Sequence, residues 1–213
     1  MMIRKKALLV GNYTHPKFHP LQGVDREITH TLQDHFSVQC TENQQMLEPG
    51  NITGYDLCIS YIENWSDKLS LRETSGLLSF VSQGGGLLVL HQGIGIQDRY
   101  EVAQLMGAKF TGHPSRRQLS LRVSAPEHDI LQGIEPFEID EEPYRFEFDP
   151  FTEKTILMEY EEEGELHPAA WAHAYGLGRI VYLMPGHDEG SFKHPEYRKL
   201  VLQAAKWAGH YPG

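Results

Sequence analysis

Short apolar runs alternate with amphipathic segments along most of the chain. Apolar runs bounded by glycine or polar residues predict buried strands, here at residues 7–10, 38–40, 55–62, 87–90, 155–160, 169–172 and 179–183. Apolar residues spaced three or four apart predict helices with one buried face, here at residues 25–36, 70–83, 99–106 and 195–207. Residues 119–123 alternate and favour an antiparallel or edge strand. The whole pattern is typical of an α/β protein with a mainly parallel sheet covered by helices.

The run at residues 87–90 is the central strand of this pattern. Three glycines precede it, and His91 follows it at once, with Gln92, Gly93, Ile94 and Gly95 after that. Ligands of open α/β sheets collect outside the carboxyl ends of the strands. His91 therefore stands where chemistry is usually done.

Composition narrows the class of protein. The 213 residues are 40% hydrophobic and 23% charged, which is ordinary for a packed core, and we expect one domain over residues 1–213. The formal net charge is −10 at pH 7, which argues against nucleic acid and anionic membranes as partners. The basic start lacks the apolar run of a signal peptide, and no stretch of about 18 apolar residues predicts a membrane span. We expect a cytoplasmic protein.

Residues that can carry chemistry cluster where the predicted strands end. Five histidines follow strands: His15 and His19 after the first, His91 after the central one, His113 after a short one and His187 after the last. Imidazole binds zinc and other divalent metals, and it exchanges protons near neutral pH. A catalytic zinc keeps three protein ligands and one open position. Two or three of these histidines with one acid would therefore suffice.

Candidate site residues follow from these positions. We assign catalytic roles to His91, His187, Glu142 and Tyr144, and the candidate ligands of a divalent metal such as zinc are His91, His187 and Glu142. Candidate substrate-binding residues are His15, His19, Gln92, His113 and Trp171. Structural alternatives stay open for all of them: the histidines as hydrogen-bonded or turn residues, Glu142 as part of a solvated acidic turn, and the aromatic residues as core.

Several motifs occur in a fixed order along the chain. They are Tyr55-Asp56 before a strand, Gly84-Gly85-Gly86 with His91 after the next strand, residues 107–114, Glu141-Glu142-Pro143-Tyr144, Gly176-Leu177-Gly178-Arg179, Gly186-His187 and Trp207-Ala208. Together they resemble the ThuA-like (trehalose utilisation) family over nearly the whole chain. The resemblance implies a flavodoxin-like, class I glutamine amidotransferase-like three-layer sandwich, with a mainly parallel central sheet and some antiparallel additions. It also implies a role in the metabolism of trehalose or a related keto-sugar.

One departure from the glutamine amidotransferases bears on the chemistry. In those enzymes the strand that matches residues 87–90 ends in an elbow with a nucleophilic cysteine, whereas here the turn contains His91 and Gln92 and neither cysteine nor serine. Cys58 lies within an apolar strand, where its thiol stays protonated. Glutamine hydrolysis by a cysteine is therefore disfavoured.

Three functional hypotheses stay open. The first is an enzyme that acts on a sugar or keto-sugar derivative, with His91, His187 and Glu142 transferring protons around a bound divalent metal. The second is a non-catalytic sugar-binding or regulatory module, which the missing nucleophile favours. In both cases the expected partner is a small sugar, and a homodimer is the ordinary assembly. The third, a hydrolase with Ser191 as nucleophile, lacks an elbow sequence around that serine.

Overall fold

The computed structural model describes residues 4–14, 16–65 and 67–211. The elements of this part of the chain are β1 (Lys5–Gly11), α1 (Val24–Leu32), β2 (Phe36–Thr41), α2 (Pro49–Ile52), β3 (Leu57–Tyr61), α3 (Leu71–Ser82), β4 (Gly86–Leu90), α4 (Tyr100–Met106), β5 (Ala108–Gly112), β6 (Arg117–Val123), β7 (Phe137–Glu141), β8 (Arg145–Phe148), β9 (Thr155–Glu162), β10 (Glu165–Tyr175), β11 (Gly178–Leu183), α5 (Glu189–Lys193) and α6 (Pro195–Ala208). It also has 3₁₀ helices at Gln44–Leu47, His91–Asp98 and Asp129–Leu131. None of the described helices combines the length and the apolar character needed to cross a membrane.

In the described part of the chain, nine strands form one sheet in the order β2-β1-β3-β4-β11-β10-β9-β6-β7. Neighbours from β2 to β11 pair in parallel, and neighbours from β11 to β7 pair antiparallel. The expected mainly parallel sheet is therefore found at one end only. Connection length explains the difference, since parallel neighbours need a long crossover. Glu163 and Gly164 alone join β9 to β10, both with positive φ (52° and 82°), and such a two-residue turn makes a hairpin.

Helices cover the parallel end of the sheet. Among the described residues, α1 packs with α5 and α6, and α3 packs with α2 and α4. In the sheet, β2 lies on one side of β1, and β3 and β4 lie on the other. The connection from β1 to β2 through α1 therefore runs in one direction across the sheet, and the connection from β3 to β4 through α3 runs in the opposite direction. Because crossovers between parallel strands are right-handed, α1 and α3 lie on opposite faces. All residues of β3 and β4 are buried between them, as continuous apolar runs predict.

The start of α3 is set by a capping box. The Ser70 Oγ accepts a hydrogen bond from the Glu73 N–H (3.2 Å), and Glu73 Oε2 accepts one from the Ser70 N–H (2.6 Å). These bonds confirm the predicted helix start. Leu71, an apolar residue within the predicted helix 70–83, is 72% exposed, because the buried face of the helix begins only at Thr74.

A short strand pair brings distant residues to the site. β5 and β8 form a two-stranded antiparallel sheet in which Gly112 pairs with Arg145. No sequence signal identified β8, since four residues are too few for its alternation to be distinctive. Because the partners run antiparallel, His113 after β5 lies at the same end of the pair as Glu142 and Tyr144 before β8.

Candidate metal centre

Four polar side chains converge beyond the carboxyl ends of the strands. His19 lies in the loop after β1, His91 directly follows β4, and His187 comes shortly after β11, while Glu142 directly follows β7. Because β1, β4 and β11 run parallel in one sheet, their carboxyl ends meet at one edge. The structure thus brings His91 and His187 together at this edge, and their catalytic and ligand roles stay predictions. His15, the other candidate in the first loop, lies outside the described residues.

The carboxylate of Glu142 lies at the centre of this cluster. Its Oε2 is 3.2 Å from His91 Nε2, 3.4 Å from His187 Nδ1 and 3.6 Å from His19 Nε2. His19 Nε2 and His187 Nδ1 are 3.2 Å apart, and the four ligand atoms all lie within 4.8 Å of one another. A tetrahedral zinc site with bonds of about 2.0–2.1 Å separates its ligand atoms by about 3.3 Å. The donor atoms and their spacing therefore suit a divalent metal.

The backbone of His91 is strained. Its φ of 45° lies in the left-handed region, which residues with a Cβ rarely adopt and which costs roughly 1–3 kcal/mol. The 3₁₀ helix that follows packs closely on β3, since a Cβ at Gly93 would lie 2.0 Å from the Ser60 carbonyl oxygen. Strain of this kind is concentrated at functional sites. This close packing explains why residue 93 is glycine.

Hydrogen bonds fix the tautomer of His91. Its Nδ1 lies 2.6 Å from the Met184 carbonyl oxygen, and since a carbonyl only accepts, Nδ1 carries the proton. In the neutral ring, Nε2 then presents a lone pair to the Glu142 carboxylate 3.2 Å away. Two acceptors at this distance repel each other unless a second proton or a cation lies between them. A backbone-bound Nδ1 with a free Nε2 is the usual arrangement of a histidine that ligates a metal.

A buried carboxylate holds His19 in place. The Glu63 side chain, 2% exposed, accepts hydrogen bonds from the backbone N–H groups of Lys17, Phe18 and His19. Burial lowers the pKa of His19, so the ring favours the neutral form that metals bind. Among the described residues, His19 Nδ1 has no hydrogen-bond partner. His19, which we expected to bind substrate, thus joins the candidate ligand set.

Glu141 performs the same task for His187. Its carboxylate is fully buried and accepts hydrogen bonds from the N–H groups of Gly186 (2.8 Å) and His187 (3.3 Å) and from the Ser191 hydroxyl. Successive side chains at a strand end point in opposite directions, so Glu141 turns inward and Glu142 turns toward the histidines. Ser191 is 4% exposed and engaged by Glu141, which rules it out as an accessible nucleophile.

Glu142 also links the cluster to a further imidazole. Its Oε1 lies 3.9 Å from Nε2 of His113, whose side chain is 34% exposed. Partial burial alone raises the pKa of the Glu142 carboxyl, but the three closer imidazoles hold that pKa well below its usual range. In turn, Glu142 raises the pKa of His187. The carboxylate therefore stays charged near neutral pH, as a metal ligand must.

Tyr144 stacks on two imidazoles of the site. Its ring centroid is 4.4 Å from that of His91 and 5.2 Å from that of His113. The residue is 1% exposed, and burial raises the pKa of its phenol. The hydroxyl accordingly stays protonated, and the ring limits the positions of both histidines.

Two expected substrate-binding residues lie in the core instead. Trp171 is completely buried in β10, and its Nε1–H donates to the Met106 carbonyl oxygen at 2.9 Å. Gln92 is completely buried as well, because the sharp turn after β4 directs its amide to the Tyr61 carbonyl oxygen at 3.3 Å. Since neither side chain reaches the cavity, the structure corrects both assignments.

A cavity of about 460 Å³ opens over the cluster, within the usual range of ligand pockets. Its lining consists of Phe18, His19, Trp65, Phe110, His113, Glu142, Tyr144 and His187. No sequence signal identified Phe18, Trp65 or Phe110. Trp65 comes shortly after β3, and that position beyond a strand end is the only pattern that points to it.

Comparison with known proteins identifies related chains. The family model described as "ThuA: Trehalose utilisation" matches residues 8–208. A ThuA-like protein from Parabacteroides merdae has a similar structure, with a TM-score of 0.81, 17% identity, and coverage of 97% of this chain and 90% of the other. One from Bacteroides uniformis has a TM-score of 0.76, 17% identity, and coverage of 96% and 91%. A Salmonella typhimurium protein described as cytoplasmic has a TM-score of 0.69, 12% identity, and coverage of 95% and 99%. No protein of curated function matches.

Proposed function

The chain belongs to the ThuA (trehalose utilisation) family, and we propose that it is a metal-dependent enzyme acting on a sugar or keto-sugar derivative. One observation carries the metal part of this proposal: ligand atoms of His19, His91, Glu142 and His187 all lie within 4.8 Å of one another. The family description supports the sugar part. The cavity over the cluster offers room for such a substrate.

The chain's own residues are suited to hold the metal. Three imidazole nitrogens and one carboxylate oxygen form a donor set that zinc and related divalent metals accept. His91 is oriented beforehand, because Met184 occupies its Nδ1. Glu63 and Glu141 fix the loops that carry His19 and His187. A divalent metal that kept one position open, held by three of these four groups or taking a fifth ligand, would polarise a substrate oxygen as a Lewis acid.

Proton transfer falls to the residues on the cavity side of the cluster. Glu142 is 14% exposed and His113 is 34% exposed, with Oε1 and Nε2 3.9 Å apart. Because His113 lies outside the four-residue cluster, it is free to exchange a proton with a bound substrate. Glu142 stays charged and orients the His113 ring through this contact.

Metal analysis is the direct test. Protein purified without chelator or metal-affinity tag should contain a divalent metal in stoichiometric amount. His91→Ala and His187→Ala should lose the metal and the turnover of sugar derivatives while staying folded. If both variants kept their metal content and turnover, the proposal would fail.

A second candidate is a non-catalytic sugar-binding or regulatory module. The turn after β4 has no nucleophile, and His91 is completely buried rather than open to the cavity. Tight sugar binding without turnover over a broad panel of sugars would favour this candidate. Detectable turnover would remove it.

The remaining expectations belong to the same proposal. We propose one flavodoxin-like domain that resides in the cytoplasm and assembles as a homodimer. The parallel half of the sheet, β2-β1-β3-β4-β11, agrees with the strand order of flavodoxin-like folds, and the family match over residues 8–208 supports a single domain. The Salmonella protein described as cytoplasmic supports the location. Sedimentation analysis tests the dimer.

A further inference from the structure

The cavity over the metal centre combines two kinds of surface. Its polar surface comes from His19, His113, Glu142 and His187, and its aromatic surface comes from Phe18, Trp65, Phe110 and Tyr144. Ligand pockets are mostly apolar, with a few polar groups that fix orientation. This combination suits a ligand with one apolar face and one polar edge.

Ring contacts hold the aromatic surface in one arrangement. The Trp65 ring centroid lies 4.9 Å from that of Phe110, and the Phe110 centroid lies 4.4 Å from that of Tyr144. Gly95 gives the indole room, since a Cβ there would lie 3.3 Å from the Trp65 ring. The indole nevertheless stays only half-buried. A ring already fixed in place loses little side-chain freedom when a ligand covers it.

The charges around the cavity argue against an anionic ligand group. Among the described residues that line the cavity, none is lysine or arginine. Phosphate groups are normally bound by arginine or lysine side chains. Arg116 is paired with Asp140 (3.0 Å) and Asp188 (2.8 Å), and the Lys17 ammonium lies over the Phe18 ring at 4.9 Å. The lining therefore offers neither lysine nor arginine to a phosphate, and the Glu142 carboxylate in the lining repels one.

We propose that this cavity selects a neutral, unphosphorylated sugar, with the C–H face of one ring against Trp65. The hydroxyl edge of that ring faces Glu142 and His113. This inference rests on the proposed function, and it adds the charge of the ligand and the residue that selects its ring. Aromatic side chains suit this task because they present a large, rigid apolar face. Trp65 is then a specificity-determining residue, with Phe110 as its support.

Trehalose and trehalose 6-phosphate form a matched pair of probes, since they differ only in the phosphate. In calorimetric titrations of the metal-loaded protein, we expect trehalose to bind at least about tenfold more tightly than its phosphate. Trp65→Ala should weaken trehalose binding by about tenfold, and Trp65→Phe, which keeps an aromatic ring and serves as the variant safest for folding, should weaken it less.

Tryptophan fluorescence gives an independent readout with an internal control. A fluorescence change on trehalose binding should disappear in Trp65→Phe and persist in Trp207→Phe. Trp207 lies on α6, packs against His128 and Arg179, and is not part of the cavity lining. A change that persists in Trp65→Phe and disappears in Trp207→Phe would place the ligand elsewhere.

Three results would overturn the inference. They are trehalose 6-phosphate binding as tightly as trehalose, unchanged trehalose affinity in folded Trp65→Ala, and no trehalose binding at millimolar concentration by protein that contains its metal. Metal content and turnover, measured on the same samples, separate this inference from the proposed function. If trehalose binding depends on Trp65 but the protein has neither metal nor turnover, only the enzyme proposal is refuted. If the protein has metal and turnover but trehalose binding does not depend on Trp65, only the proposed role of Trp65 in sugar binding is refuted.

Discussion

His91 Nδ1 donates a hydrogen bond to the Met184 carbonyl oxygen over 2.6 Å. His91 directly follows β4 and Met184 directly follows β11, and these strands pair in parallel with Leu90 opposite Leu183. The ends of two neighbouring strands thus lock the ring. Because Nδ1 is occupied, only Nε2 faces Glu142, so strand pairing decides which nitrogen is available to a metal.

The substitution His91→Asn separates this nitrogen from the rest of the residue. Asparagine tolerates the left-handed backbone, and its amide can still donate to the Met184 carbonyl oxygen, but it lacks Nε2. We expect the metal content to fall to background while the free energy of unfolding of the metal-free protein changes by less than about 1.5 kcal/mol. Elemental analysis and urea unfolding measure the two quantities.

His91→Ala is the comparison variant. It loses the hydrogen bond and still has to adopt the left-handed φ, so its metal-free form should be the less stable of the two by roughly 1–3 kcal/mol. A His91→Asn protein that keeps its full metal content would contradict the assignment of Nε2 as a ligand.

Glu142 provides the second prediction, because its carboxylate touches all three imidazoles of the cluster. Glu142→Gln keeps the shape of the side chain and removes its charge. We expect metal affinity to fall by more than about 100-fold, which exceeds the usual effect of replacing a residue that only hydrogen-bonds to a metal ligand. Competition with a chromophoric chelator measures the affinity. The matched control is Glu161→Gln, since the Glu161 side chain is 61% exposed. Equal affinities of the two variants would show that Glu142 is not a ligand.

Sequence patterns predicted part of this site for a physical reason. His91 and His187 follow apolar strands, and parallel strands end at one edge, so their convergence is a consequence of topology. His19 also follows a parallel strand, but topology does not set the path of its longer loop, because Glu63, 44 residues further along the chain, fixes that loop. Glu142 arrives from the antiparallel end of the sheet, where pairing depends on register that no sequence period reveals.

The adjacent acids show the same limit on a finer scale. Glu141 and Glu142 are chemically alike and adjacent in the sequence. One-residue alternation at the end of β7 sends one inward to backbone N–H groups and the other to the histidines. Trp171 shows a different limit, since residues 169–173 of β10 are all buried and the apolar sequence alone did not separate a core position from a pocket position.

Glu141 supplies the third prediction, as a residue that positions His187 through its backbone. Glu141→Gln turns an acceptor of three hydrogen bonds into a group that also presents N–H donors to them. We expect the free energy of unfolding to fall by about 2–3 kcal/mol and metal affinity to fall by about 10–100-fold. Urea unfolding and metal titration test both effects, and the visible spectrum of the cobalt-substituted protein reports whether the ligand arrangement has changed.

Ser191→Ala is the control for Glu141. It removes one of the three donors and leaves the bonds to Gly186 and His187 intact, so both effects should be smaller. If Glu141→Gln lost stability without any change in metal affinity or cobalt spectrum, Glu141 would be a purely structural residue.

The last prediction concerns pH and a histidine outside the candidate metal centre. His173 is 5% exposed, and its Nε2–H donates to the Leu105 carbonyl oxygen at 2.9 Å. Burial lowers its pKa below the usual 6.5, so the folded state favours the neutral ring. The resulting stability is fully present above pH 6.5 and is lost as the pH falls through the lowered value, with a slope of at most about 1.4 kcal/mol per pH unit.

His173→Gln keeps a donor for the Leu105 carbonyl oxygen and cannot titrate. Urea unfolding of chelator-treated wild-type protein and variant, from neutral pH to about pH 5, keeps the contribution of the metal cluster equal in both. We expect the free energy of unfolding to fall more steeply for the wild-type protein, because only its residue 173 gains a proton when unfolding in acid exposes the imidazole. Parallel curves for the two proteins would show that His173 adds nothing to the acid sensitivity.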